Sequence, residues 1–262
     1  MSLRFSPSYA LAYDLLNEGK PYQDEVDFVL KLYRSHNPGG VLPISVLDLG
    51  CGSGMHLSMF PSDTKKTGVD ISESMLDVAK KRETPNATYL KTKIGDFQTE
   101  SKFDLVYSLF HVMSYQTTEM DLDQSLATIR NSLSDNGLTV FDFWHRAAWD
   151  QDPPVTRMTV KKNSLVEVKR VSSPTVDRAS GLVTIDMDIF VHQAKMDKNA
   201  YEHFSEHHEM RAYTLQELAY AARLQGLEIV GSGPWMTNQR PLSAGDWYGW
   251  LALKKANGPQ SK

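Results

Sequence analysis

The amino-acid sequence predicts an α/β fold: a seven-stranded, mostly parallel, doubly wound sheet with an N-terminal helical lid and an inserted antiparallel sheet. Three observations lead to this prediction. Apolar residues 46–49 run directly into a loop, residues 50–54, that has glycine at every second position. Short apolar runs then alternate with helical patterns as far as Trp144, which is typical of β-α units. Between about residues 150 and 211, apolar and polar residues alternate, as in antiparallel strands with one buried face.

The lid is predicted over residues 1–40. Tyr9, Tyr13 and Leu16 fall on one face of a first helix, and a second helix is expected over about residues 24–34. The parallel-sheet domain then covers residues 41–149 and 212–256, and the inserted sheet covers residues 150–211. A chain of 262 residues is long enough to bury a full core in this arrangement.

The remaining elements follow in order along the chain. Ser72 is expected to cap a helix, and a helix with Leu122, Leu126, Ile129 and Leu133 inward precedes a turn at Asn136-Gly137. Strands are predicted at residues 88–90, 103–110 and 138–144, then at 165–171, 183–191 and 201–211 in the insertion. A capping box, Thr214 with Glu217, begins the last helix, and residues 227–230 and 247–253 close the large sheet as an antiparallel pair.

The glycine loop indicates a nucleotide-like ligand. Glycine is needed where the backbone takes positive φ and where a ligand approaches closely. The third glycine comes one residue too early for the dinucleotide-binding motif G-x-G-x-x-G. A P-loop is excluded because no Gly-Lys-Ser/Thr follows the glycines. Asp48, just before the glycines, favours a cationic ligand. Asp70, at the end of the second strand, is placed to accept both hydroxyls of a ribose.

These motifs resemble the S-adenosylmethionine-dependent methyltransferases of the Rossmann-like class. The order of elements is similar to that of the sugar N,N-dimethyltransferases, which act on nucleotide-linked amino sugars. Matching residues include Tyr13-Asp14, Gly19-Lys20, Tyr22, Gly95-Asp96, Arg170-Val171-Ser172, and His203 with Glu206 and His208. The resemblance implies S-adenosyl-L-methionine as cofactor, S-adenosyl-L-homocysteine as product, and N-methylation of a small molecule.

The chain departs from this family where the acceptor would bind. Asp142-Phe143-Trp144-His145 stands where the family has a glutamate and a proline before a tryptophan pair, and His111 replaces a serine. The C-terminal segment is also longer and more aromatic. O-methylation, or N-methylation of another small metabolite, therefore stays open. So do an NAD-dependent oxidoreductase, which the early third glycine disfavours, and a non-catalytic scaffold.

Candidate site residues lie mainly at strand ends, because ligands of open α/β sheets sit outside the carboxyl ends of the strands. Asp96 is expected to receive the adenine amino group while Phe97 covers the ring. The predicted cofactor-binding residues are Tyr22, Asp48, Gly50, Cys51, Gly52, Gly54, Asp70, Ile71, Met75, Gly95, Asp96, Phe97 and Phe110. Those predicted to bind the substrate are Tyr9, Tyr13, Trp144, Arg170, His203 and Glu206, and His111, Asp142 and His208 are the candidate bases.

Composition restricts the partners. The net charge of -4 argues against nucleic acid, and no apolar run reaches the length of a membrane span. Cys51 is the single cysteine, which excludes an internal disulfide and fits a cytoplasmic location. His203 and His207 share one strand face while Glu206 and His208 share the other, so no metal site is predicted. The inserted sheet offers a surface for a homodimer.

Overall fold

The computed structural model describes residues 7–37, 39, 41–194 and 200–256, so residues 1–6, 38 and 40 of the predicted lid lie outside the described part. The helices are α1 Pro7–Leu16, α2 Tyr22–His36, α3 Met55–Ser58, α4 Glu73–Lys81, α5 Glu119–Ser132, α6 Arg146–Gln151 and α7 Leu215–Leu224. The strands are β1 Ser45–Leu49, β2 Lys65–Asp70, β3 Ala87–Lys91, β4 Phe103–Ser108, β5 Leu133–Trp144, β6 Arg157–Lys162, β7 Val166–Asp177, β8 Leu182–Gln193, β9 Glu202–Arg211, β10 Leu227–Pro234 and β11 Tyr248–Lys255.

The large sheet has the strand order β10-β11-β5-β4-β1-β2-β3, which confirms the predicted fold class. The strands from β1 to β5 pair in parallel, and β11 lies antiparallel to both β5 and β10. Val46, Leu47 and Leu49 of β1 are fully buried because helices cover both faces of a parallel sheet. The direction in which successive strands are added reverses at β1: β2 and β3 follow on one side of it, and β4 and β5 lie on the other. A ligand crevice is expected at this switch point.

The second sheet has the order β6-β7-β8-β9 and is antiparallel throughout. Along β8, Val183, Met187 and Ile189 are buried while Asp186 and Asp188 are exposed, as the alternation predicts. The sequence prediction contained three of these strands and missed β6. This strand is a short edge strand rich in charge, and such strands carry little alternation signal.

Strand β5 begins earlier than predicted. It starts at Leu133, which was expected to end a helix, and the predicted turn at Asn136-Gly137 lies inside the strand. Leu133 pairs with Phe103 of β4, and the register shifts before the next pair. An irregularity of this kind absorbs extra residues within a strand, so turn-forming residues occur there without a turn.

Helix α1 joins the two sheets. Tyr9, Ala12 and Leu16 pack with Val168 and Ile189 of the second sheet. On the other side, Asp14 accepts a hydrogen bond of 2.6 Å from the Ser53 hydroxyl in the glycine loop and pairs with Arg82. The lid therefore closes over the switch point of the large sheet. None of the helices in the described ranges has both the length and the apolar composition needed to cross a membrane.

Candidate functional site

A cleft of about 360 Å³ lies at the carboxyl ends of β1, β2 and β4. The lid covers it from one side and the second sheet from another. Cavities of this size accommodate small-molecule ligands and cofactors. The cleft is lined by Tyr9, Tyr13, Asn17, Tyr22, Gly50, Cys51, Gly52, Ser53, Met55, His56, Asp70, Ile71, Met75, Thr92, Lys93, Ile94, Leu109, Phe110, His111, Val112, Tyr115, Gln116, Trp144, Arg170, Ser172, Ile185, Met187, His208 and Met210.

The glycine loop forms the floor of the cleft. The backbone N–H groups of Gly50 and Cys51 donate to the Val69 carbonyl at 2.7 and 3.0 Å, which ties the loop to β2. Gly50 has a φ of +80°, and a Cβ atom added there would lie 2.4 Å from Cγ1 of Val112. Only glycine meets both conditions, so Val112 packs directly against the loop at this position.

Asp70 lies at the end of β2, beside Ile71 and Met75 in the cleft wall. Its Oδ2 accepts the Gly52 N–H at 2.9 Å, and its Oδ1 accepts the Ser72 N–H at 2.8 Å. Burial raises the pKa of Asp70, and these backbone donors partly oppose the shift. Each carboxylate oxygen keeps a further lone pair. The residues therefore fit a ligand that presents two adjacent hydroxyls.

Asp48 and Gly54 were predicted to contact the ligand, but the structure places them behind the loop. Asp48 is 1% exposed, and burial raises its pKa well above the usual range. Gly54 precedes α3 with a φ of +74°, and a Cβ atom there would lie 2.8 Å from the Tyr89 hydroxyl. Neither residue lines the cleft. Both support the shape of the loop.

The end of β3 also differs from the prediction. Thr92, Lys93 and Ile94 line the cleft, whereas Gly95, Asp96 and Phe97 do not. A 3-10 helix, Ile94–Asp96, turns the Phe97 side chain into the hydrophobic core. Phe97 therefore does not cover a ring in the cleft, and Ile94 provides the apolar surface there instead. Asp96 is exposed outside the lining residues.

His111 follows β4 and faces the cleft. Phe110 and His111 have φ values of +68° and +65°, which are strained for residues with a side chain. The His111 N–H donates to Oδ1 of Asp142 at 3.0 Å, and Nδ1 of its ring lies 2.7 Å from Oδ2. The ring stacks on Tyr248 with centroids 4.4 Å apart. Asp142 is 1% exposed and lies behind His111, so it positions this histidine and does not line the cleft itself.

A second histidine reaches the cleft from β9. His208 is buried, and its Nδ1 lies 2.8 Å from the Tyr115 hydroxyl. Its Nε2 lies 3.6 Å from Oε2 of Glu206, which is buried behind it. His203 was predicted to bind substrate, but it lies on the opposite face of the sheet, exposed and 2.8 Å from Asp188. Within the described ranges, no three His, Cys, Asp or Glu side chains gather as a metal site.

Arg170, on β7 of the second sheet, lines the cleft together with aromatic side chains. Nη1 of Arg170 donates to the Tyr9 hydroxyl at 3.4 Å. Its buried Nε has no hydrogen-bond partner among the residues that the structure describes. Trp144 stacks on Trp149 with centroids 4.3 Å apart. A partly buried guanidinium whose Nε has no partner among the described residues favours an anionic ligand group.

A buried ionic cluster beside the cleft was not predicted from the sequence. His56 lines the cleft, and its Nε2 lies 2.7 Å from Oε2 of Glu25, which also pairs with Lys20. Burial acts to raise the pKa of Glu25, but the His56 hydrogen bond and the Lys20 charge outweigh it and hold the pKa at about 2. A glutamate next to Val26 on the buried face of α2 was the available signal.

Comparison with known proteins gives a consistent result. A family profile described as a methyltransferase domain matches residues 46–137. The chain is 30% identical over 228 residues to the dTDP-3-amino-3,4,6-trideoxy-alpha-D-glucopyranose N,N-dimethyltransferase of Streptomyces venezuelae, and the match covers 86% of this chain and 92% of that protein. The crystal structure of Streptomyces venezuelae DesVI is similar with a TM-score of 0.78 at 25% identity, covering 95% and 98% of the two chains. An S-adenosylmethionine-bound amino pentose methyltransferase from Micromonospora echinaspora has a TM-score of 0.73 at 22% identity, covering 98% and 99%.

Proposed function

This chain belongs to the family of S-adenosylmethionine-dependent methyltransferases that includes the dTDP-amino-sugar N,N-dimethyltransferases, and we propose that it methylates the amino nitrogen of a nucleotide-linked amino sugar. Membership in this family excludes the alternative that the chain is an NAD-dependent oxidoreductase. The relative from Streptomyces venezuelae is named for such a sugar, and the match covers nearly all of both chains. The observation that carries the proposal is that one cleft contains a carboxylate placed for a ribose, a histidine paired with a carboxylate, and a partly buried arginine.

The cofactor would be held by the glycine loop and the ends of β2 and β3. Asp70 offers two acceptor oxygens for the ribose hydroxyls, and Gly50 and Gly52 line the cleft next to it. Met75 and Ile94 provide apolar surface for a base. When bound, S-adenosylmethionine supplies a methyl group that is already activated by a sulfonium. The protein therefore has mainly to orient the acceptor and exclude water, which can lower a barrier by roughly 7–11 kcal/mol.

His111 is the group that we propose to accept the proton from the acceptor. An amine must shed a proton as it gains a methyl group. Asp142 accepts the His111 backbone N–H and lies 2.7 Å from Nδ1 of the ring, which leaves Nε2 as the ring nitrogen for the acceptor. His208 faces the same cleft with Glu206 behind it, and we propose that it orients the sugar through the hydrogen bond with Tyr115.

Arg170 is the proposed contact for the diphosphate of the nucleotide. Arg170 lines the cleft from β7, and its Nε is buried. Tyr9 accepts one of its hydrogen bonds and holds it in place. A fork of this kind binds phosphate oxygens in pairs. Tyr13 and Trp144, which also line the cleft, are proposed to pack against the sugar between the two ends.

O-methylation of a sugar is the second candidate, and a specific observation favours it. A hydroxyl acceptor needs a base more than an amine does, since it holds its proton more tightly. The His111–Asp142 pair can serve as that base. The two candidates share the cofactor and the nucleotide site, and they differ only in the acceptor atom.

Methyl transfer followed by mass spectrometry tests the proposal. The purified protein is offered S-adenosylmethionine with a nucleotide-linked amino sugar or with its hydroxyl counterpart. Two methyl groups on the amine, and none on the hydroxyl sugar, are the expected result. Transfer to the hydroxyl sugar alone would replace N-methylation by O-methylation. Transfer to neither, with S-adenosylhomocysteine still bound in calorimetry, would refute the nucleotide-sugar acceptor. The Arg170→Lys variant tests nucleotide recognition, because it should raise the KM for the nucleotide sugar.

We further propose a cytoplasmic location and a homodimer. Cys51 is free and buried, as expected in a reducing compartment. Val155, Met158 and Val160 are exposed at the β6 edge of the second sheet, which favours contact with another copy. Light scattering after size-exclusion chromatography measures the mass directly, and a monomer at micromolar concentration would refute the dimer.

A further inference from the structure

Tyr248 is the first residue of β11, and its ring stacks on the imidazole of His111. The ring centroids lie 4.4 Å apart and the two planes differ by 17°, so the rings are nearly parallel. The His111 side chain is 15% exposed and lines the cleft, whereas Tyr248 is 39% exposed and does not line it. Tyr248 therefore covers one face of the imidazole from outside the cleft.

His111 has a strained backbone that needs support from its neighbours. Its φ is +65°, and such a conformation persists only where the surrounding structure holds the residue in place. Asp142 holds it from behind by accepting its N–H at 3.0 Å and lying 2.7 Å from Nδ1 of the ring. These contacts fix one edge of the imidazole but leave the ring free to tilt about that edge. A ring stacked on its face removes this freedom.

Strands β5 and β11 hold Asp142 and Tyr248 at a fixed separation. In this antiparallel pair Tyr248 lies opposite Trp144, so it is a diagonal neighbour of Asp142 on the same face of the sheet. The two strands pack closely beside it, since a Cβ atom added to Gly249 would lie 2.6 Å from Cζ of Phe143. The carboxylate and the ring that contact the imidazole therefore belong to one pair of hydrogen-bonded strands.

The segment that leads into β11 fixes the backbone of Tyr248. The N–H of Trp235 donates to the Tyr248 carbonyl at 3.0 Å. Two residues before Tyr248, the carboxylate of Asp246 accepts from Nη1 of Arg240 at 2.7 Å and from the N–H of Ser243 at 2.8 Å. These contacts hold the start of β11 in place, and with it the ring of Tyr248.

We propose that Tyr248 is a positioning residue that keeps Nε2 of His111 directed into the cleft. The inference rests on the proposed function, in which this nitrogen accepts the proton of the methyl acceptor. Asp142 fixes the Nδ1 edge of the imidazole and Tyr248 fixes its plane, so the two together define the direction of Nε2. The direction matters because a misplacement of about 1 Å can cost roughly a hundredfold in rate.

Steady-state kinetics of methyl transfer to the nucleotide-linked amino sugar test this role. Tyr248→Leu keeps an apolar side chain without a planar face, and it should lower kcat by about tenfold or more while the KM of both substrates changes less than about twofold. Tyr248→Phe keeps the ring and should retain the wild-type kcat. In a His111→Gln background, Tyr248→Leu should change kcat by less than about twofold, because the residue through which it acts is absent.

NMR of the histidine ring protons gives a readout that needs no methyl acceptor. The His111 signals, identified by their loss in His111→Gln, should show a nuclear Overhauser effect to the Tyr248 ring in the wild-type protein. They should move downfield in Tyr248→Leu, since a stacked aromatic ring shifts the protons over its face upfield, and stay in place in Tyr248→Phe. Tyr220→Leu is the matched control, because it removes an exposed tyrosine of α7 and should leave kcat and these signals unchanged.

Three results would overturn the proposal. They are an unchanged kcat in Tyr248→Leu, an equal loss of kcat with and without His111, and a raised KM at unchanged kcat. The absence of an Overhauser effect between the two rings would also overturn it, and this measurement on the wild-type protein requires no variant to fold. A protein that methylates no amino sugar, while its His111 signals still follow Tyr248, would refute the proposed acceptor alone.

Discussion

Replacing Gly50 by alanine tests whether the glycine loop is shaped by close packing against the segment that follows β4. The residue has a φ of +80°, and a new Cβ atom would lie 2.4 Å from Cγ1 and 2.8 Å from Cγ2 of Val112. These are side-chain atoms of a neighbour that itself lines the cleft. The substitution therefore adds a steric clash to the backbone strain.

The magnitude follows from these two contributions. A non-glycine residue in the left-handed region costs about 1–2 kcal/mol, and an added methyl group that forces its neighbours apart costs about 1–3 kcal/mol. Together they predict that Gly50→Ala lowers the free energy of unfolding by roughly 2–5 kcal/mol. Gly19 has a similar φ of +87° but nothing within 4 Å of an added Cβ atom. Gly19→Ala should therefore cost only the backbone part, about 1–2 kcal/mol.

Urea unfolding of four proteins separates the contributions: Gly19→Ala, Gly50→Ala, Val112→Ala and the double variant of Gly50 and Val112. The double variant should be more stable than the sum of its single variants predicts, by about 1–3 kcal/mol, because the shortened Val112 side chain removes the clash. If Gly50→Ala costs no more than Gly19→Ala, or if the two sites are additive, the reasoning about close approach is refuted.

Four further predictions concern the site. Asp70→Asn should weaken S-adenosylhomocysteine binding by roughly tenfold to a hundredfold in calorimetry, through loss of charge-assisted hydrogen bonds to the ribose. His111→Gln should lower kcat by about a hundredfold while cofactor affinity is kept, and an unchanged kcat would exclude it as the proton acceptor. Arg170→Lys should raise KM for the nucleotide sugar by about tenfold with little change in kcat, because the guanidinium fork is lost. Burial holds the pKa of His56 below 6.5, so this histidine takes up a proton when the protein unfolds near that pH. The free energy of unfolding should therefore fall as the solution is acidified from about pH 7 to 5, and His56→Gln should flatten this dependence.

The parts of the site that could be predicted are those carried by one continuous segment. Residues 45–49 form β1, residues 50–54 form the glycine turn, and Asp70 ends β2. The glycines and this acid can be recognised in the sequence. Phe97 was misplaced because apolar periodicity shows that a residue is buried but not which way a loop turns. The 3-10 helix Ile94–Asp96 directs Phe97 into the core, and this short turn has no sequence signal of its own.

Contacts between distant segments could not be predicted in the same way. Glu25 and His56 meet at 2.7 Å although a whole strand and the glycine loop separate them along the chain. The only trace in the sequence is a carboxylate on the buried face of α2. Edge strand β6 was missed for a related reason, since its role depends on pairing with β7 and not on its own pattern.

Two of the departures from the sugar N,N-dimethyltransferase pattern meet in space. In sequence, Asp142 in place of a glutamate and His111 in place of a serine look independent. The structure brings Nδ1 of His111 to 2.7 Å from Oδ2 of Asp142. An aspartate side chain is one methylene shorter than that of a glutamate, and here Asp142 does not reach the cleft, which His111 lines instead. The chain thus places a histidine in the cleft with a buried carboxylate behind it. The acceptor of this enzyme should therefore be one that gives up its proton to an imidazole.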